Sequence, residues 1–196
     1  MKLSRGHFLV LASATFLLAP VVAGADTANT TISTTISAVI SVFTTNGTVN
    51  ANVLPSVSGA QTTSSDTVTI STNDTTGYTL KLEDANADTN LVSGANNIAA
   101  TTGTQGSPVA LTAGKWGYRV DSLGGFGAGP TSAGTSTAIG AVTYAGVPAN
   151  GSPNTLKTTS STATNDTTTV WYSVAADTTQ PVGTYTDIVT YTALTN

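Results

Sequence analysis

Apolar and polar residues alternate one for one through most of this chain. Across residues 32 to 43, Ile32, Ile36, Ala38, Ile40 and Val42 share one parity, with mostly Ser and Thr between them. Val68 and Ile70 alternate with Thr67, Thr69 and Ser71, and Tyr78, Leu80 and Leu82 with Thr79 and Lys81. The pattern returns at Trp116, Tyr118 and Val120, at Val170, Tyr172 and Val174, and at Tyr185, Val189, Tyr191 and Ala193. A period of two puts one face on a core and the other in water, so each run predicts a half-buried β-strand. Turn residues fall between the runs: Asn46-Gly47, Asn73-Asp74, Gly94, Gly124-Gly125, Pro130, Asn150-Gly151 and Pro181-Val182-Gly183. Beyond the first 25 residues nothing has a helical period. Many short strands between turns predict an all-β fold, an antiparallel β-sandwich of Greek-key or immunoglobulin-like type.

Residues 122–165 break the rhythm. They are rich in Gly, Ser, Thr and Ala, with Phe126, Ile139, Val142, Tyr144 and Val147 as scattered anchors. The chain after 165 offers two good strands, and two strands alone are marginal. Those strands are therefore expected to complete the sheets begun earlier. Residues 122–165 become a long excursion within one domain, with short strands near 141–147 and 154–158.

Composition changes the picture in three ways. Threonine is the commonest residue; it is β-branched, and its hydroxyl suits the wet face of a strand. Residues 1–25 read as a secretory signal, with Lys2 and Arg5, an apolar run from Phe8 to Val22, and Ala23-Gly24-Ala25 as the small-residue cleavage pattern. A retained N-terminal anchor and a prepilin-type leader cut after Gly6 are the alternatives. The remaining domain, 26–196, holds four cations against ten acids, a net charge of −6, and no Cys, His or Met. That inventory excludes a disulfide framework, Cys or His nucleophilic triads and His- or Cys-based zinc sites, and it offers no basic surface for nucleic acid. The expected location is extracellular, at the cell surface, with no membrane-spanning segment after cleavage.

Candidate chemistry is sparse, and no catalytic residue or cofactor is expected. The acids sit mostly beside Asn, Thr or Gly at strand ends, as solvated turn carboxylates. Asp187 shares parity with Tyr185 and Val189 within the last strand, so a bulge or an edge position is expected to expose it. Asp84-Ala85-Asn86-Ala87-Asp88 resembles the start of a calcium loop. Thr89 stands where such a loop has its sharp-turn glycine and Ala95 where it has its bidentate glutamate, so Asp84, Asn86 and Asp88 form a partial ligand set in a solvated hairpin loop. Lys81, Lys115 and Lys157 are candidates for an isopeptide bond to an asparagine beside a buried acid. Asn29, Asn46, Asn73, Asn150 and Asn165 stand in glycosylation sequons. Trp171 lies on the opposite parity from Val170 and Tyr172, so one of Trp116 and Trp171 is a candidate for an outer face that contacts a glycan or partner. Few charges guard the strand edges, which leaves an edge covered by loops or open to another chain.

Two segments resemble a known family. Residues 67–82 read TVTISTNDTTGYTLKL and residues 183–194 read GTYTDIVTYTAL. Together they are similar to bacterial WxL-type cell-surface domains, with Tyr78 and Tyr191 in place of the two signature tryptophans, Leu80 retained, and Ala193 in place of the second leucine. Leu91 to Ile98, LVSGANNI, resembles the family's short Leu-x-Gly-Ala-x-Ile stretch. The resemblance implies a secreted β-sandwich held non-covalently on the cell envelope, or assembled with related surface proteins. It points to Tyr78, Leu80 and Tyr191, beside Trp116 and Trp171, as binding residues. The C-terminal strand is also similar to the last strand of secreted coat and fimbrial subunits.

The expected function is that of a non-enzymatic surface protein that binds wall polymer, other surface proteins or glycans, or adheres to cells. The alternative is a pilus, fibre or coat subunit that polymerises by strand addition, with residues 29–43 as the donor strand.

Overall fold

A computed structural model of the protein describes residues 26–196; residues 1–25, expected to be a secretory signal, lie outside the described residues. The chain divides between Ile36 and Ser37. Residues 26–36 contain no regular secondary structure and are exposed. Residues 37–196 carry β1 (Ile40–Thr44), β2 (Ala60–Thr72), β3 (Tyr78–Asp84), β4 (Leu91–Ser93), β5 (Asn96–Ala100) and β6 (Val109–Ala110). They continue with β7 (Lys115–Arg119), β8 (Gly134–Ala138), β9 (Thr143–Tyr144), β10 (Asn154–Thr158), β11 (Ala163–Ala176) and β12 (Val189–Thr195). The described residues are all-β.

The larger sheet runs β1-β2-β11-β7-β5-β4, with β8 also paired to β2, and a second sheet runs β10-β3-β12. β6 and β9 form a short pair of their own. The strand pairs are antiparallel except β5 with β7, which is parallel, so the architecture is mixed rather than purely antiparallel. In the long β2–β11 ladder Val68 and Ile70 lie opposite Thr168 and Asp166, and Val170 and Tyr172 opposite Asp66 and Ser64. Its apolar side chains join Trp116 and Tyr118 of β7 and Tyr78, Leu80 and Leu82 of β3 in one core, with Leu156 of β10. Strands β3, β7, β11 and β12 thus follow their periodicity, and the excursion contributes β8, β9 and β10.

Two expectations fail. The run from 32 to 43 is a strand only from Ile40, and Ile32 and Ile36 are 92% and 82% exposed. The cause is the length of its partner. β1 pairs with β2 from Val68 to Thr72, and there β2 ends at the Asn73-Asp74 turn. The Asn73 side chain then holds the approach to β1, accepting from Val39 N at 2.7 Å and donating to Ser37 O at 3.1 Å. The second failure concerns the hydroxyl faces. Near the start of β2 they are not wet, because the excursion covers them. Thr63 Oγ1 bonds Ser173 Oγ at 2.9 Å and Tyr144 OH at 3.2 Å, all three residues buried, beside a small core of Leu111, Tyr144 and Ala175. Gly117 shows how close that cover comes: a Cβ there would sit 2.5 Å from Ala145 O.

Candidate functional site

Four of the five sequence-predicted binding residues belong to the core or its margin. Tyr78 and Leu80 are wholly buried and Trp116 nearly so; Tyr191 is half-buried, and Trp171 is half-buried on the other face. A buried aromatic hydroxyl or indole N–H needs a partner, and each finds one. Tyr78 OH donates to Asp166 Oδ2 at 2.8 Å, Trp116 Nε1 to Thr89 O at 3.0 Å, and Tyr172 OH and Tyr191 OH lie 2.7 Å apart. Burial pushes the Tyr78, Tyr172 and Tyr191 phenols well above their ordinary range, with Asp166 adding to the effect at Tyr78. The Gly77-Tyr78-Thr79-Leu80 element is therefore packing, not a contact surface. The Asn73-to-Gly77 turn supports it, with Thr76 N and Oγ1 both donating to Asp74 Oδ1. Gly77 takes a φ of +87°, where a Cβ would collide with the Thr159 backbone.

A groove of about 710 Å³ lies between residues 46–55 and 180–189. Trp116, Tyr172, Val189 and Tyr191 line its floor. Along one wall Val49, Ala51 and Val53 pack on the core while Thr48, Asn50 and Asn52 face out. That is strand periodicity, yet the segment belongs to no strand, and among the described residues the N–H groups of Gly47 to Val53 donate no hydrogen bond. The sequence carried the signal in the alternation of residues 48–53. Asn46-Gly47 alone was read there, as a turn.

A shallower cleft of about 530 Å³ lies elsewhere, lined by Trp171, Lys157, Asp121, Thr131, Thr167 and Thr169. Trp171 is thus the tryptophan on an outer face, as its parity implied. Lys157 does not meet an asparagine: its Nζ pairs with Asp166 Oδ1 at 2.5 Å. Asp166 is pulled two ways. Burial raises its pKa, but Lys157 and the Tyr78 hydroxyl outweigh that and hold it below the usual carboxylate range. Asp121 behaves alike, with burial opposed by Thr131 and Arg119 and the net shift downward. Arg119, almost wholly buried, donates to Asp121 Oδ1 at 2.7 Å, Thr131 Oγ1 at 2.6 Å and Phe126 O at 2.5 Å.

The third site is a pair of carboxyls. Asp84 closes β3 and is wholly buried, and Asp187 lies just before β12. Asp187 is not displayed at a bulge or edge: its Oδ2 is shielded from solvent, because the segment before β12 folds over the end of β3. Ala85 N donates to Ile188 O at 2.9 Å to hold the two segments together. Burial, then the adjoining Asp84 carboxyl and the Asp88 charge, push the Asp187 carboxyl up to about 7. The 84–90 loop is a chain of turns. Asn86 N donates to Asp84 Oδ1 at 2.8 Å, Asp88 N to Asn86 Oδ1 at 2.7 Å, and Asn90 N to Asp88 Oδ1 at 3.1 Å. The loop tip is solvated as expected, whereas Asp84 is not. Among the described residues no three acidic side chains converge on one point.

No protein-family model matches the chain, and neither does any curated protein or solved structure.

Proposed function

We propose that this chain is an exported, non-enzymatic β-sandwich of the cell surface that acts by association, and that its partner is a second copy of itself. In this reading residues 27–36 of one copy add as a strand to the groove of the next. The groove carries the proposal, because its wall has strand periodicity and, from Gly47 to Val53, open backbone donors, yet it is paired into no strand ladder. Strand addition uses main-chain hydrogen bonds for affinity and alternate side-chain pockets for specificity. Residues 27–36 supply both. Ala28, Ile32 and Ile36 share a parity, and the two isoleucines stand exposed. Ten extended residues span about 33 Å, enough to run the length of an eight-residue wall. The leader-like first 25 residues and the resemblance to WxL-type domains support a surface location.

Size-exclusion chromatography and negative-stain microscopy test this on the full chain and on an Ile32→Asp/Ile36→Asp variant. Concentration-dependent oligomers or filaments that the variant lacks are the expected result. A monomer at every concentration overturns it.

The Trp171 cleft favours a second reading, non-covalent binding of wall polymer or surface glycan. A half-exposed indole ringed by hydroxyls, with Lys157 and Asp121 beside it, offers the stacking face and polar rim that a sugar needs. Retention of the chain on purified cell wall, lost in Trp171→Ala, is the outcome that supports it. Equal retention of the two overturns it.

A further inference from the structure

Two side-chain oxygens, Asp84 Oδ2 and Asp187 Oδ2, are buried without a hydrogen-bond partner among the described residues. The pairing of Asp84 with Val189 and the Ala85 N–Ile188 O bond bring Asp187 beside Asp84. Neither can swing out to water at low cost. Asp84 Oδ1 is engaged by Asn86 N at 2.8 Å and Asp187 Oδ1 by Ile188 N at 2.8 Å, while Ala85 N–Ile188 O and Asp84 N–Pro148 O fix the backbone on either side. The ion pairs among the described residues join Arg119 to Asp121 and Lys157 to Asp166, so no protein cation answers these two acids. Two apposed carboxylates with shielded oxygens are a costly arrangement unless a positive charge lies between them.

We propose that Asp84 and Asp187 bind a calcium ion. Asn86 lies in the same loop; its Oδ1 accepts one backbone N–H, from Asp88, and keeps a second lone pair, whereas Asp88 Oδ1 is taken by both nitrogens of Asn90. The remaining ligands in this proposal are main-chain carbonyls and water, so the shell is made of oxygen only. Such a shell selects a hard cation. Calcium takes six to eight oxygens in irregular geometry, whereas magnesium demands a near-ideal octahedron and keeps its waters. The ion would clamp the 84–90 loop to the 181–188 segment, one wall of the groove. This inference is independent of what the groove binds.

Isothermal titration calorimetry and thermal melts of the purified full chain test it, in EDTA, in calcium chloride and in magnesium chloride. The expected result is one calcium ion per chain, a midpoint temperature several degrees higher in calcium than in EDTA, and a smaller response to magnesium. Asp187→Asn abolishes the calcium response, whereas Asp74→Asn, in an exposed turn of the same type, leaves it intact. No binding heat and no change in melting at about 10 mM calcium, above the range of extracellular calcium modules, overturns the proposal. So does a calcium response that survives Asp187→Asn. The titration of the unaltered chain decides the matter even if a variant fails to fold.

Discussion

Arg119–Asp121 and Asp84–Asp187 put carboxylates in similar places, next to the core at the ends of strands, with opposite surroundings. Asp121 has a guanidinium at 2.7 Å, a hydroxyl and a backbone N–H from Thr131, and a depressed pKa. Asp187 has a second carboxyl as its neighbour and a raised pKa. The first arrangement is self-sufficient: Arg119 ties β7 to the excursion at Phe126, Gly127, Thr131 and Thr143 and leaves none of its three nitrogens without an acceptor. The second is incomplete with protein atoms alone. Burial by itself therefore says little about whether an acid is structural or functional. What separates the two is whether the chain also supplies the matching charge.

Arg119→Met should show the largest effect. It removes the cation from Asp121 and a donor from the Phe126, Gly127 and Thr143 carbonyls, and a loss of about 3 kcal/mol is expected, the low end for a broken buried pair because Asp121 keeps some solvent. Urea denaturation measures it. Acid should strike the paired carboxylates next. Asp121 and Asp166 have lowered pKa values in the folded state, so their contribution is fully present above the unfolded value near 4 and is lost as pH falls through the folded values. Thermal melts from pH 6 to pH 2 should fall most steeply below about 4, and less steeply in Asp166→Asn. Asp187→Asn should have the opposite sign in EDTA. Removing one of two apposed charges is expected to stabilise the protein by about 1 kcal/mol. A destabilised variant in EDTA would mean that the pair is already balanced by a shared proton. Lys157→Met should cost least, about 0.5 kcal/mol, because its pair with Asp166 is one-third exposed.

The strands that buried a full alternating run were legible from the residues: Val68–Ile70, Tyr78–Leu82, Trp116–Tyr118 and Val170–Val174 all enter the core with the parity read for them. So was the outward tilt of Trp171. The short strands β4, β5, β6 and β8 were not, because runs of two to five residues are too short to carry a periodic signal of their own. The candidate site was legible only in part. Asp84, Asn86 and Asp88 announced an oxygen-rich loop at alternate positions, but Asp187, about one hundred residues on, gave no local sign of facing them. Likewise, Ile32 and Ile36 carry strand periodicity, yet nothing near them in sequence says that β2 stops at Thr72 and leaves them without a partner.

The amino-acid sequence alone determined the class of this protein. Period-two alternation with β-branched threonine favours strands, and residues 26–196 hold no Cys and no His. Both are local properties, carried by single residues and their immediate neighbours. Tertiary structure alone decided which threonines stay wet, which tryptophan faces outward, that residues 46–53 border an open groove, and that Asp84 meets Asp187. Those outcomes depend on contacts between segments far apart in the chain. A carboxylate's partner, like a strand's, is set by where the backbone returns, and alternation along the chain does not encode that.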